Sequence, residues 1–301
     1  MRQYLMFFLL LALLAACREQ SKVMTSPNGY EYVLHKSTGG ETPAYGDVLT
    51  FHVDVRQADS VLFSTRQGDP VKAPLQDPSL TPGQQSDPVL DVLPLMAIGD
   101  SLTVTMKLDS LAKQTPGFED VDEIYYDIVL LDIQTAEEAE TEAAAQRAEA
   151  SAERKALVIQ TEEGKAAVEA LEEVLAAYKA DALGDKVQTT ETGLQYIIHT
   201  TTSGKPAEPN KNVSVNYLGM TPDGNIFDES YTRGQPISFT LGTGRVIPGW
   251  DEGIDLLKVG EKATLIIPGN LAYGPMGSPP NIGPNETLFF YVSLEDVQEV
   301  Q

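Results

Sequence analysis

The sequence predicts an α+β protein: two domains of one antiparallel fold, each a β-sheet wrapped around a short helix, joined by a long helical spacer. Three observations carry this reading. The chain repeats itself, since Gly29-Tyr-Glu-Tyr-Val-Leu-His35 is matched by Gly193-Leu-Gln-Tyr-Ile-Ile-His199. At the same spacing Gly40 meets Gly204, Phe63 meets Phe227, and Tyr126-Asp-Ile-Val-Leu-Leu-Asp-Ile-Gln134 meets Phe290-Tyr-Val-Ser-Leu-Glu-Asp-Val-Gln298. Within each copy the segments have strand periodicity, and between the copies lies an Ala/Glu-rich stretch that contains no proline.

Taken in order, residues 1–17 read as a leader. Arg2 supplies a positive start, and Leu5 to Leu14 form an apolar run too short to cross a bilayer comfortably. The run ends in Leu14-Ala15-Ala16-Cys17, which resembles the bacterial lipobox, where the cysteine is acylated and the chain cut before it. Two or three acyl chains anchor firmly where one would not. Cys17 is the chain's one cysteine, so thiol chemistry and cysteine-ligated metal sites are excluded once it is lipidated. Residues 18–27 form a tether, and 28–134 form the first copy. Gly99 pairs best with Gly260, so this copy is longer before that glycine and shorter after it.

Residues 135–186 form the helical linker. Strong helix formers fill it, with a break expected at Gly164; continuous, it would reach about 70 Å at 1.5 Å per residue. Val168, Leu171, Leu175 and Tyr178 make an apolar stripe at helical spacing. The stripe packs on a neighbouring domain, pairs with a second copy of the helix, or lies solvated. Residues 187–301 form the second copy. Val213-Ser-Val-Asn-Tyr217 alternates, Lys262 to Ile267 is rich in β-formers, and Thr287 to Leu294 is a buried apolar run. Thr221-Pro-Asp-Gly224 is a turn, since proline presets φ and glycine accepts a positive one. Gly249 to Leu257 is a short helix with Trp250, Ile254 and Leu257 on one face.

The 301 residues carry 44 acidic and 21 basic side chains, a net charge of -23. Phosphate neutralisation needs the opposite sign, which excludes nucleic acid as a partner. The acidity reads as a self-repelling, soluble surface, or as recruitment of basic clients. His35, His52 and His199 fall in strand-like segments without metal-ligand spacing to one another.

Three segments of the second copy carry the chemistry: Val215-Asn-Tyr-Leu-Gly-Met-Thr-Pro-Asp-Gly-Asn-Ile-Phe-Asp228, Phe239-Thr-Leu-Gly-Thr-Gly-Arg-Val-Ile-Pro-Gly-Trp-Asp-Glu-Gly253, and Ile267-Pro-Gly-Asn-Leu-Ala-Tyr-Gly274 before a Pro/Gly-rich loop. In order, spacing and motif identity, residues 190–298 resemble the FKBP family of peptidyl-prolyl cis-trans isomerases. The resemblance implies an apolar pocket for a prolyl residue or a macrolide inhibitor, with Trp250 as floor. Tyr217, Phe227, Phe239, Val246, Ile247 and Phe290 would line it, Asp228 and Tyr273 supply polar groups, and Ile282 close the rim. The Ile247 amide would receive a ligand carbonyl, and Arg233 stands where a basic side chain often pairs with the pocket aspartate. Ile237, Ser278 and Asn281 depart from the usual pattern and put the preference for the residue before proline in doubt.

The residue types suit that chemistry. Rotation about a peptide bond faces a barrier of about 18–20 kcal/mol from amide resonance. Lowering it needs no nucleophile, metal or cofactor. A dry aromatic pocket penalises the charge-separated planar form, and tighter binding of the twisted amide does the rest. Asp228 either stabilises the twisted amide electrostatically or holds the pocket's shape.

In the first copy Tyr217 is matched by Val53, Asp228 by Ser64 and Trp250 by Val89, with Phe63 retained. That copy reads as a degenerate, inactive module. The expected function is therefore a peptidyl-prolyl isomerase of the bacterial envelope, lipid-anchored through Cys17, on the periplasmic face of the outer membrane. Its clients would be proline-containing polypeptides, with macrolides as inhibitors, no cofactor, and a homodimer through residues 28–183. The rival readings are a non-catalytic chaperone or scaffold, and a surface adhesion lipoprotein.

Overall fold

The computed structural model describes residues 22–78, 87–109, 112–114, 118 and 120–299. Cys17 and the leader expected over residues 1–17 lie outside the described residues. The chain divides into two units, residues 1–140 and 141–301.

The first unit contains β1 (Val23–Thr25), β2 (Glu31–Lys36), β3 (Val48–Gln57), β4 (Ser60–Ser64), β5 (Val71–Pro74), the short helix α1 (Pro88–Val92), β6 (Ser101–Lys107) and β7 (Glu123–Gln134). The strands form one antiparallel sheet in the order β1-β2-β6-β7-β3-β4, with β5 also on β3. Alternate residues of β3, β6 and β7 bury one face against α1, around Phe51, Val53, Val92, Leu102 and Ile128. Asp87 caps α1 by accepting from the Val89 and Leu90 amides, and Pro88 occupies the first turn.

Two helices follow, α2 (Ala136–Val158) and α3 (Glu162–Lys179). Thr135 and Glu138 open α2 with a reciprocal capping pair: the Glu138 amide donates to Thr135 Oγ1, and the Thr135 amide to Glu138 Oε2. The second unit then contains β8 (Gln188–Thr189), β9 (Gln195–Thr200), β10 (Asn212–Met220), β11 (Ile226–Glu229), β12 (Ile237–Thr240), α4 (Pro248–Asp255), β13 (Lys262–Ile267) and β14 (Leu288–Gln298). Its sheet has the order β8-β9-β13-β14-β10-β11, with β12 also on β10. Strand for strand, this is the topology of the first unit.

The repeat extends to individual hydrogen bonds. Asp100 accepts from the amides of Thr38 and Ala97, and Glu261 accepts from those of Thr202 and Lys258. His35 reaches Thr103 at 2.7 Å, and His199 reaches Thr264 at 2.8 Å. Gly99 and Gly260 both take positive φ, and their amides bond the Leu130 and Leu294 carbonyls. One expected pairing fails. Val55 faces Phe63 as Gly219 faces Asp228, and Asp54 faces Ser64 as Leu218 faces Glu229. Because the first hairpin is shorter, Phe63 holds the place of Asp228, not of Phe227, and Ser64 holds that of Glu229.

The second unit buries both faces of its sheet. One face packs on α4, around Leu194, Val215, Trp250, Leu265 and Val292. The other is covered by α2 and α3, where Val168, Leu171 and Leu175 meet Leu218, Met220, Ile266, Phe289 and Tyr291. Tyr178 adds an edge-to-face contact to Phe289 at 5.0 Å. Of its three readings the apolar stripe therefore takes the first, packing on the neighbouring sheet, and the linker is not one continuous spacer. The helix ends at Val158 and restarts after Thr161, which caps α3 by accepting from the Gly164 amide at 3.0 Å. Gly164 lies inside α3, not at the break. A Cβ there would sit 2.2 Å from the Val158 carbonyl oxygen, so glycine is what lets the two helices close on each other.

Candidate functional site

Strands β10, β11, β12 and β14, helix α4 and two loops of the second unit frame a cleft of about 390 Å³ lined by Tyr217, Phe227, Asp228, Ile237, Gly244, Arg245, Val246, Ile247, Trp250, Tyr273 and Phe290. Its floor is set by α4. Pro248 starts that helix in a position where its missing N–H costs nothing, and Ile247 holds an extended φ of −60° and ψ of 146° before it. Trp250, in the first turn, is 4% exposed. Its ring takes edge contacts from Tyr217 at 4.9 Å and from Phe290 at 5.3 Å, and Phe290 in turn meets Phe227 at 5.5 Å. Four rings thus fix one another nearly at right angles, an arrangement that aromatic quadrupoles favour. The Trp250 Nε1 is buried without a hydrogen-bond partner.

A glycine makes the box possible. A Cβ on Gly219 would stand 2.7 Å from both the Phe227 and the Phe290 rings. The first unit has Val55 at that register position, Val53 buried where Tyr217 would be, and Val89, on α1, packed against the core. Its aromatic floor is absent among the described residues.

The polar edge comes from β10, β11 and the turn after them. Tyr217 donates its hydroxyl to Asp228 Oδ2 at 2.5 Å and accepts from Arg233 Nη2 at 2.5 Å. Arg233 also reaches Asp228 Oδ1 at 3.1 Å, and its guanidinium lies over the Tyr217 ring, 5.6 Å from the centroid. The ion pair is half-exposed and adds little stability by itself; its effect is on geometry. Burial first, then the hydrogen bond and charge of Asp228, push the Tyr217 phenol far above the ordinary tyrosine range. Tyr217 therefore stays a donor at every physiological pH, and Asp228 stays oriented by it. Burial, with a smaller part from Asp228, also raises Tyr273. Opposite this edge, the loop carrying Gly244 to Val246 is held by Asp251, whose carboxylate accepts from the Gly242 and Gly244 amides at 2.8 and 2.9 Å.

Of the residues expected from sequence, Asp228, Tyr273, Trp250, Phe227, Tyr217, Val246, Ile247 and Phe290 surround this cleft. Two stand behind it. Phe239 packs on Trp250 at 5.9 Å from the core side, and Ile282, 4% exposed, is part of the same core. Sequence reasoning did not single out Gly244 and Arg245 as lining residues, nor Gly219, whose only signal was a glycine among strand residues. The arrangement offers an apolar floor that can take a small ring and a rigid carboxylate–phenol–guanidinium edge that can orient polar groups beside it.

Comparison with known proteins places the cleft in context. Residues 203–295 match the family model described as FKBP-type peptidyl-prolyl cis-trans isomerase. A probable FKBP-type peptidyl-prolyl cis-trans isomerase FkpA of Neisseria meningitidis is 47% identical over 116 residues, which is 38% of this chain and 42% of that protein. FK506-binding protein 2 of Yarrowia lipolytica is 45% identical over 116 residues, 38% of this chain and 81% of that protein. The crystal structure of FkpA from Escherichia coli covers 65% of this chain and 85% of its own, at 35% identity and a TM-score of 0.38. The chain thus spans less than half the length of the bacterial relative it matches in sequence.

Proposed function

The chain belongs to the FKBP-type peptidyl-prolyl cis-trans isomerase family, and from that premise we propose that its second unit catalyses cis/trans exchange of Xaa-Pro bonds in polypeptide clients. The observation that carries this is the Trp250-floored aromatic cleft with the Tyr217–Asp228–Arg233 hydrogen-bond chain on its edge. The proline ring would sit on Trp250, between Phe227, Tyr217 and Phe290, gaining stability from apolar burial. Removing the amide from water disfavours its charge-separated planar form, which is the source of the barrier. Because Asp228 is held by three donors, it presents a fixed negative potential that needs no reorganisation as the amide twists. Tyr273, 41% exposed at the mouth, is free to donate to a carbonyl flanking the proline. Macrolides of the family's inhibitor class would compete for the same floor.

The cellular setting is part of the same reading: an envelope protein, lipid-anchored at Cys17 and facing the periplasm, that assists folding of exported clients. Within the described residues no helix is long and apolar enough to cross a membrane. The anchoring proposal rests on the Leu14-Ala15-Ala16-Cys17 motif of the sequence. A homodimer would use the first unit, because the stripe on α3 is already buried against its own sheet.

The deciding experiment is a proline-limited refolding or peptide assay with the full chain, with no metal or nucleotide added. Acceleration of the slow phase supports catalysis, and its loss in Asp228→Ala assigns it to this cleft. A folded protein that slows refolding instead would identify a binder and overturn the isomerase reading.

A further inference from the structure

We propose that Ser151 and Arg154, on α2, are positioning residues for the site: they clamp the strand that carries Phe227 and Asp228. This inference rests on the isomerase reading of the cleft. β11 is four residues long, lies at the edge of the sheet, and pairs with β10 through an irregular register. Met220 faces Ile226 and Gly219 faces Asp228, so Phe227 is the extra residue of a bulge. An edge bulge has weak internal definition, since its outer N–H and C=O groups have no strand to bond.

Helix α2 supplies what the missing strand would. The Ile226 amide donates to Ser151 Oγ at 2.7 Å, and that serine is 7% exposed. Arg154 Nη1 donates to the Ile226 carbonyl at 3.1 Å and also to the Phe227 carbonyl. A charged donor shared by two successive carbonyls is stronger and more directional than water would be. Four residues before Ser151, on the same helical face, Arg147 donates to the Pro280 carbonyl at 3.2 Å, in the loop that follows Tyr273. One face of α2 therefore holds the backbone beside two sides of the cleft. Residues 147, 151 and 154 sit in an Ala/Glu-rich helix with little else to bury, and a merely solvated helix has no use for them.

The test uses the full chain with Ser151→Ala, Arg154→Met, their combination, and Arg154→Lys as the conservative rescue. Leu171→Ala, fully buried between α3 and the sheet, serves as a control for lost stability. Turnover and KM on an Xaa-Pro peptide are measured well below each melting temperature, together with the amide line widths of Phe227 and Asp228. The expected result is a kcat lower by about tenfold or more in the Ser151/Arg154 pair with KM little changed, because misplacement of about 1 Å at a reacting centre can cost up to about a hundredfold. The Phe227 and Asp228 amides broaden, Arg154→Lys recovers part of both losses, and Leu171→Ala leaves kcat and these amides unchanged. Unaltered kcat and sharp amides in the double variant overturn the proposal. So does a loss of kcat in Leu171→Ala equal to that in the double variant. Should the wild-type chain show no turnover, the isomerase reading fails instead, and the amide widths alone decide whether the clamp exists.

Discussion

Deleting the two helices before residue 187 should destroy the second unit as a stable fold, although the family match begins only at residue 203. The fragment 187–301 keeps every cleft residue and loses α2 and α3. Seven apolar side chains of the sheet are then uncovered: Ile197, Leu218, Met220, Ile226, Ile266, Phe289 and Tyr291, all 8% exposed or less in the intact unit. Full burial of such a side chain contributes about 1.5–3 kcal/mol. If the helices provide half of that cover and neighbouring strands the rest, the loss is roughly 5–10 kcal/mol. Whole domains have about 5–15 kcal/mol to lose. The fragment 141–301 should therefore unfold cooperatively, while 187–301 should bind a hydrophobic dye, melt tens of degrees lower, or associate. Matched thermal melts and dye titrations of the two fragments decide it. A fragment 187–301 that melts cooperatively within a few degrees of 141–301 would refute the argument and return the helices to the role of a spacer.

Other expectations are more local. Gly219→Ala forces the Phe227 and Phe290 rings apart; it should cost roughly 1–3 kcal/mol of stability and lower turnover by a larger factor than it lowers the yield of folded protein, read by peptide assay and denaturant titration. Burial lowers the His199 pKa below its ordinary 6.5, with Lys186 adding to this and Glu173 opposing it. As pH falls through the unfolded value, the unfolded chain therefore takes up a proton that the folded chain refuses, and stability declines until the folded pKa is passed. The slope is at most about 1.4 kcal/mol per pH unit. Melting of the wild type should therefore fall more steeply between pH 7 and 5.5 than that of His199→Asn; equal slopes would exclude His199. Cys17→Ser should abolish detergent partitioning, and unchanged partitioning would argue for a cleaved leader without lipid. The first unit should confer dimerisation on the full chain at tens of micromolar while 141–301 sediments as a monomer; two monomers would remove the dimer from the reading.

Much of this was legible in the residues because the relevant signals are local. The strand repeat around Gly29 and Gly193 became two sheets of one topology, and the short motif around Trp250 became a helix with its tryptophan inward. What stayed hidden depends on contacts distant in sequence. Ser151 and Arg154 look like two polar residues on an Ala/Glu helix, and only the docking of α2 on β11 gives them partners. The interruption between the helices carries neither proline nor glycine at residues 159–161; its signal was Thr161 as a cap with Gly164 three residues on, which reads equally as a kink at the glycine. The equivalence of Phe63 and Asp228 depends on the length of a hairpin, and a shift of one residue in a bulged strand leaves the flanking pattern unaltered.

The two copies share a topology, yet they are not interchangeable cassettes. Residues 288–294 of β14 are buried on both sides of the sheet, whereas buried and partly open positions intermix along β7. This difference records which sheet carries helices on its second face. Grafting the β14 sequence into the first unit would turn Phe289 and Tyr291 outward with no helix among the described residues to cover them, a sticky surface on a protein otherwise kept apart by its charge. Grafting β7 into the second unit would set Asp127 and Tyr125 beneath α3. The helices therefore fix the strand sequence of the second unit as much as the cleft does: a sheet with a roof and one with an open outer face need different residues at the same register positions.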